Sequence, residues 1–501
     1  MQHALWHRVY ITNQKDTARA RCRSFPALGH AQASVAGKGV RRMSVFSLSN
    51  LKKTWYYLQK NGIRNAVWAV LERIGQEQEV YTWQEPDEKT LSFQREHSAS
   101  LRISIVVPAY RTKKEHLEAM LNSVSRQSYP HWELIVADAG GTAESVQAWA
   151  KKNGICLREA ADASNLAEWK DQSIVLSPLS ENKGISANTN AGIGLAAGDA
   201  VGLLDHDDLL TANALWEMAD CLEKEKKRGK QKLVLFSDED KCDGAASRFY
   251  EPNFKPDFDG ELLLTNNYIC HFTVIETAFL KELKLRSGFD GAQDYDLMLR
   301  AYAAGGQFVH VPKVLYHWRC HEASTASNPQ SKRYAYEAGQ RALEDYCLRK
   351  GWKATVSGLK HLGFYREDYE DSVFCQRPEI GIWAKPLPGG RDILGIRHPK
   401  GFLVSGLYEN DGSMRYAGLR KGYSGPMHRA ALQQSAPAAD LRSMEVCSAL
   451  KERYAQTIAE LKEACQGLPT AAQEKKILQK SMEFCKEATA AGYGILWDPQ
   501  A

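Results

Sequence analysis

Ile103-Ser-Ile-Val-Val107-Pro108-Ala-Tyr110 is the stretch from which the architecture can be read. A short β-branched run ended by proline predicts a buried strand. Leu117, Met120, Leu121 and Val124 follow at i, i+3, i+4 and i+7, the spacing of an amphipathic helix. Leu134-Ile-Val-Ala137 is a second apolar run. The unit then repeats: a strand over Ile174–Leu176, a helix from about Ser186, a strand over Val201–Leu204. Strands alternating with helices predict an α/β fold, a mixed, mostly parallel sheet flanked by helices. Ligands of such sheets bind where the strands end at their carboxyl side.

Outside this core the pattern changes. Leu51, Trp55, Leu58, Ile63, Val67, Val70, Leu71 and Ile74 recur at helical intervals, which predicts a helical N-terminal extension. Residues 84–100 are polar, contain Pro86 and read as a linker. Residues 158–172 read as an insertion before a strand. Lys332–Lys350 reads as a long helix closing the domain, and further helices are expected around 440–464 and 471–490. The expected division is 1–42, a basic disordered or mis-started segment; 43–97, helical extension and linker; 98–360, the main domain; and 361–501, a partial, degenerate second module.

The 501 residues are 44% apolar and 10% aromatic, which excludes a disordered or low-complexity chain. No uncharged apolar run reaches the ~18–20 residues of a membrane span. The net charge of +5 is unevenly placed. Residues 1–42 hold Arg8, Lys15, Arg19, Arg21, Arg23, Lys38, Arg41 and Arg42 against Asp16, a balance of +7, so the rest carries +5 − 7 = −2. Either Met43 is the physiological start, or 1–42 is a basic surface-binding arm. A nucleic-acid binder is not expected, because no basic-aromatic stripe lies outside that arm. The eleven cysteines form no C-x-x-C pair, which points to a reducing, cytoplasmic setting with most thiols buried as small hydrophobes.

The strongest chemical signal is Leu204-Asp205-His206-Asp207-Asp208, a buried strand ending in three acids. Like charges this close call for a cation; Mg²⁺ or Mn²⁺ on carboxylate and phosphate oxygens fits, and the plain alternative is capping of a helix over Leu209–Lys227. Tyr110 can stack on a base or merely follow a proline turn. Asp138, before Ala139-Gly140-Gly141, can accept the imide N–H of a pyrimidine or hold an Asp turn. Asn182-Lys183-Gly184-Ile185-Ser186 leads into a helix bearing Asn188 and Asn190, a setting suited to an anion. No Walker loop and no G-x-G-x-x-G after the first strand is present, which argues against a nicotinamide dehydrogenase. Gln293-Asp294-Tyr-Asp296 starts a helix with Leu297, Met298 and Ala301 on its apolar face; Asp294 is its cap or a general base. His317 and His321 are four apart and are ligands or structural residues.

In order, Val-Val-Pro108-Ala-Tyr110, Trp132-Glu-Leu-Ile-Val-Ala-Asp138, Asn182-Lys-Gly-Ile, Leu-Leu-Asp205-His-Asp207-Asp208, Gln293-Asp294-Tyr-Asp-Leu and His321-Glu-Ala-Ser324-Thr resemble a family 2 glycosyltransferase of the GT-A fold. Ser237-Asp238-Glu239-Asp240-Lys241 and Asn266-Asn267-Tyr268-Ile269 further resemble bacterial members that build cell-surface polysaccharides, often rhamnose-containing ones. The resemblance covers about 98–360, and the tail looks like a worn second module truncated after Ala501. It implies an inverting, metal-assisted transfer from a UDP- or dTDP-sugar to a hydroxyl of a glycan or lipid-linked glycan, at the inner membrane face through peripheral contact. Carried over, Pro108, Tyr110 and Asp138 frame the base and Lys183 lies along the nucleotide. Gly184, Asn188, His206 and Gln293 belong to the same nucleotide-sugar site. Asp205 and Asp207 hold the Mg²⁺ or Mn²⁺, with His321 as a further ligand. Asp294 is the catalytic base, and Asp238 and Glu239 face the acceptor. The alternative is a non-catalytic nucleotide-sugar-binding scaffold partnering another glycosyltransferase. Two departures stand out: Ala137-Asp138 replaces an acidic pair, and Gln293-Asp294 replaces Glu-Asp.

Overall fold

The computed structural model describes residues 81–160, 169–255, 257–320, 333–358 and 363–384, with 406–407, 444–456, 459–460, 484, 487–488 and 490–497 of the tail. All lie in the unit Thr54–Ala501. The expected helical extension over 43–80, the basic arm, His321 and most of the expected second module lie outside the described residues.

Helix α1 (Glu88–Glu96) is the first element among the described residues and lies where a linker was expected. The local cause is Asp87, whose carboxylate accepts the Thr90 N–H at 2.8 Å and starts the helix. Its tertiary anchor is Gln94, buried, with Nε2 on Glu217 and Oε1 accepting the Ser128 hydroxyl.

The strand–helix alternation follows as expected: β1 (Ile103–Ala109), α2 (Lys114–Ser125), β2 (Trp132–Asp138), α3 (Ala143–Asn153), β3 (Cys156–Glu159), β4 (Ser173–Pro178), α4 (Ile185–Leu195) and β5 (Ala200–Leu203). Strand β3 takes in Arg158 and Glu159, so the expected insertion starts later than 158. Arg158 is buried there against Glu133 at 2.7 Å. Next come β6 (Leu209–Leu210), α5 (Ala214–Lys227), β7 (Leu233–Cys242), β8 (Phe249–Asn253), α6 (Gly260–Thr265), β9 (Thr273–Glu276), α7 (Thr277–Leu283), α8 (Gln293–Ala303), β10 (Gln307–Arg319) and α9 (Arg333–Lys350).

The sheet order is β3-β4-β2-β1-β5-β9-β7-β10-β6, with β8 on β7. Strands β3, β4, β2, β1 and β5 run parallel. Strand β9 is antiparallel to both β5 and β7, and β10 returns parallel to β7. From β1 the chain goes outward to β2 on one side and β5 on the other, so the carboxyl ends of β1 and β5 flank a switch point.

Alternation along β1 feeds two cores. Ile103, Ile105 and Val107 join Leu117, Met120, Leu121 and Val124 on one face. Val106 joins Ile135, Ile193, Leu297, Met298 and Ala301 on the other. At ~1.5–3 kcal/mol per fully buried large aliphatic side chain, these two layers make the sheet rigid enough to aim its loops. The cysteines differ from expectation: among the eight described, all free, only Cys242 and Cys347 are buried. No helix among the described residues is long and apolar enough to cross a membrane.

The expected boundary at 360 falls inside a hairpin, β11 (Ala354–Gly358) with β12 (Tyr365–Tyr369). Helix α10 (Val373–Gln376) and β13 (Ile380–Ala384) follow. In the tail, β13 pairs parallel with Gly494–Trp497 and antiparallel with Met444–Val446. Arg377 ties this region to α6 through a buried two-pronged pair with Glu261, at 2.8 and 2.5 Å.

Glu367 on β12 lies beside that pair, with Oε1 unpartnered. Burial first, then the Glu261 charge, pushes its carboxyl from 4.5 to about 8. Between those values the unfolded chain has lost the proton and the folded chain keeps it, so stability falls as pH rises through the window. Glu367→Gln is therefore expected to stabilise by about 2 kcal/mol at pH 8 and to change little at pH 4. Denaturant melts at the two pH values check this; an equal effect at both would show that the proton is not the cause.

Candidate active site

At the end of β1, Tyr110 is 40% exposed and Pro108 half-buried. The Arg111 guanidinium lies 5.0 Å from the Tyr110 ring centroid, covering one face. The other strand end is Asp138, buried, whose Oδ1 accepts Gly140 N–H at 3.0 Å and whose Oδ2 accepts Thr142 and Ala143 N–H at 3.2 and 2.8 Å. Three of roughly four acceptor directions are thus spent on the turn into α3, the Asp-turn alternative.

The anion site expected at the start of α4 is filled by the protein itself. Asp290 accepts the Ser186 N–H at 3.3 Å. Gly184 has φ +95°, and a Cβ there would come within 2.3 Å of Asp290 Oδ2, so glycine is required twice over. Asn182 and Asn188 clasp this turn: Asn182 Oδ1 accepts Gly184 N–H and Asn188 Nδ2, at 3.1 and 2.9 Å. Lys183 Nζ lies 3.0 Å from Glu181 at the surface. Gly184 and Asn188 are turn-building residues here, and a second anion at this helix end would meet the Asp290 carboxylate.

The turn after β5 divides its acids. Asp208 is buried and faces the sheet, accepting from the Tyr316 hydroxyl at 2.5 Å and from Arg319 N–H at 2.7 Å. The buried Arg319 side chain holds the Asp207 carbonyl at 2.5 Å and the Gly244 carbonyl at 2.7 Å. No acid caps a following helix: Leu209–Leu210 is strand, and α5 starts behind Asn213. Asp205, His206 and Asp207 remain at the recess, partly accessible. Burial is the first cause that raises the Asp205 carboxyl; His271 opposes it, and Asp207 and, more weakly, Asp294 add to it.

Asp294, nearly ninety residues downstream, thus lies near enough for its charge to act on Asp205. Ala292 occupies the N-cap position of α8, so Asp294 is not the cap that its spacing suggested. Its Oδ2 accepts from Asn267 Nδ2 at 2.9 Å, and the Cys270 thiol hydrogen-bonds its carboxylate. Burial, with the Asp294 and Glu239 charges, keeps that thiol protonated, its pKa well above the usual range. Gln293 Oε1 accepts the Gly291 N–H at 2.8 Å and shapes the turn before the helix.

Asp238 does not face an acceptor: it is buried, accepting from Lys255 N–H and pairing with His310 Nε2, both at 2.8 Å. Glu239 accepts the His271 backbone N–H at 2.5 Å and sits 3.6 Å from the fully buried Lys255 ammonium, so it supports the recess from behind. His317 is structural, bound to the buried Asp240 at 2.5 Å. Asn267, Cys270, His271, Lys255 and Arg319 were not assigned roles from sequence. The stretch Asn266-Asn267-Tyr268-Ile269 pointed near them, but a polar run between helix and strand carries no periodicity that says where it packs.

The donor set suits a hard divalent ion. Asp205 and Asp207 stand two apart in the turn after β5, burial disfavours the Asp205 charge, and His206 Nδ1 is a buried polar atom with no hydrogen-bond partner. Among the described residues no group of three or more His, Cys, Asp or Glu forms a ready cage. The fit is therefore to an ion completed by water and substrate oxygens, as Mg²⁺ and its kin are commonly held.

Comparison with known proteins agrees with this geometry. Residues 104–283 match the model of the family described as Glycosyl transferase family 2. An uncharacterized protein of Sinorhizobium fredii, y4gI, is 36% identical over 255 residues, 50% of this chain and 26% of that protein. The O-antigen biosynthesis protein RfbC of Myxococcus xanthus is 35% identical over 256 residues, 51% of this chain and 19% of that one. The chain thus spans about a quarter or a fifth of the length of these relatives. The solved structure of S. aureus TarS 1–349 with UDP-GlcNAc is a loose likeness: 20% identity, TM-score 0.37, covering 50% of this chain and 67% of that one. Over residues 104–283 the chain is thus similar to a glycosyl transferase family 2 domain, and the sheet that carries this match is GT-A-like, mixed and mostly parallel with helices on its faces.

Proposed function

We propose that this chain transfers a sugar, with inversion, from a nucleotide-diphosphate donor to a hydroxyl of a cell-surface glycan on the cytoplasmic side of the membrane. The observation that carries it is that Asp205, at the carboxyl end of β5, lies within electrostatic reach of both Asp207 and Asp294. The relative named for O-antigen biosynthesis supports the acceptor class. Tyr110 and Arg111 form the ledge for the base, and Asp205 and Asp207 face the diphosphate. A divalent ion on these two carboxylates would supply Lewis-acid stabilisation of the departing diphosphate. Asp294 takes the proton of the attacking hydroxyl, held for that purpose by Asn267 and Cys270. One base, on the face opposite the leaving group, gives a single displacement; no acid need protonate the leaving oxygen, unlike glycoside hydrolysis.

The test is thermal shift and turnover over a panel of UDP- and dTDP-sugars with and without Mn²⁺. A donor is expected to raise the melting temperature only with Mn²⁺, and Asp207→Ala to abolish that shift. Donor binding without any turnover would favour the scaffold reading; an undiminished shift in Asp207→Ala would overturn the assigned role of that carboxylate.

A further inference from the structure

Lys255, between β8 and α6, is fully buried. Taking an ammonium out of water is costly, and an apolar side chain of the same length would fill the space without that cost, so the charge calls for a reason. Its partners supply one. Nζ donates to the Ile269 carbonyl at 2.9 Å and to the His271 carbonyl, and lies 3.6 Å from Glu239 Oε2. Glu239, on β7, accepts the His271 N–H through that same oxygen and the Asn253 amide through the other, at 2.5 and 3.2 Å. The main chain of the lysine is pinned too, its N–H on Asp238 Oδ1 at 2.8 Å. Three backbone groups of Ile269–His271 are thus held by one buried ion pair.

The same short segment supplies the groups that hold Asp294. Asn267 Nδ2 reaches Asp294 Oδ2 at 2.9 Å, and Cys270, between the two clamped carbonyls, hydrogen-bonds that carboxylate through its thiol. His271, the next residue, lies within electrostatic reach of Asp205. Residues 266–271 belong to neither helix nor strand. The backbone at 269–271 therefore takes its position from Lys255 and Glu239 and not from a ladder.

We propose that Lys255 is a positioning residue for the base: its buried ammonium, anchored on Glu239, fixes Ile269–His271 so that Cys270 and Asn267 meet the Asp294 carboxylate. The lysine lies too deep to touch a substrate and acts through the backbone it clamps. A misplacement of about 1 Å costs about a hundredfold in rate, so a rigid internal clamp matches what the chemistry needs. The kinetic consequence rests on the transferase reading above; the clamp itself rests on the contacts of Lys255.

The experiment compares wild type with Lys255→Met, which loses the ammonium but little length, and with Lys255→Met/Glu239→Gln. The double variant strands no buried ion, and its new amide still accepts the His271 N–H, so it carries the test where the single variant does not fold. The first readout is labelling of the native protein by N-ethylmaleimide, measured by peptide mass spectrometry at Cys270 and at Cys347, a buried thiol on α9. Labelling of Cys270 is expected to rise about tenfold or more with Cys347 unchanged, since only the clamped segment loosens. The second readout is transfer with Mn²⁺, for which kcat is expected to fall about 10–100-fold while donor KM stays within about threefold. In an Asp294→Asn background the same substitution is expected to cost nothing further, because the base it positions is already gone. Unchanged labelling of Cys270, or an equal loss of transfer in both backgrounds, overturns the clamp. Labelling of Cys347 that rises alongside Cys270 in both variants also overturns it, because the lysine then holds the whole fold and not the segment. Wild-type protein without turnover on any donor defeats the transferase reading and leaves the labelling to decide the clamp.

Discussion

Asp294→Asn is expected to lower sugar transfer by ~10²–10⁴ while donor affinity with Mn²⁺ stays within a factor of about three. The carboxylate is the group placed to receive a proton, and the amide that replaces it is nearly isosteric but has no basic oxygen. The surroundings tolerate the swap. Asn267 Nδ2, 2.9 Å from Oδ2, still finds a carbonyl oxygen if the amide turns correctly, and the Cys270 thiol is a weak donor that loses little. Fold stability should therefore move by less than about 1 kcal/mol, which separates this variant from a misfolded one. Single-turnover transfer and donor titration on the same preparation provide the check. Transfer within tenfold of wild type would remove Asp294 from the chemistry, and equal loss of donor binding would move it to the donor side.

The second large effect concerns the acid that sits one residue beyond the recess. Asp208→Ala is expected to cost about 3 kcal/mol of stability, against less than 1 for Asp207→Ala. Among the described residues Asp208 is the acceptor for the Tyr316 hydroxyl and for the Arg319 N–H, both buried. Its removal strands two donors in an apolar layer, and each buried unpaired donor costs ~1–3 kcal/mol. Asp207 contributes its backbone carbonyl to Arg319, and an alanine keeps that carbonyl. Denaturant melts of the two variants decide the matter. Similar losses would mean that Asp207 is as structural as its neighbour, and a mild Asp208→Ala would mean that Arg319 alone holds the turn.

These two variants mark the limit of what could be read without coordinates. The alternation of strand and helix from Ile103 to Leu203 was legible because hydrophobic period is a local property: Leu117, Met120, Leu121 and Val124 line one face whatever else the chain does. The acids after Val201-Gly-Leu-Leu204 were legible as a cluster for the same reason, since charges following a buried strand must stand at its end. Which of them faces the recess was not, because a turn has no repeat to aim its side chains. Asp208 is turned inward by Tyr316 and Arg319, more than a hundred residues away. The same holds for Asp290 at the start of α4, for Glu239 behind His271, and for Cys270 against Asp294. Helix α1 was hidden in a polar stretch because its anchor is a buried glutamine amide and not an apolar stripe. By itself the amino-acid order determined the layers and the list of carboxylates. The tertiary structure alone decided which carboxylates are buried against protein donors and which stand partly accessible at the strand ends, because burial and partner charge are set by residues distant in the chain.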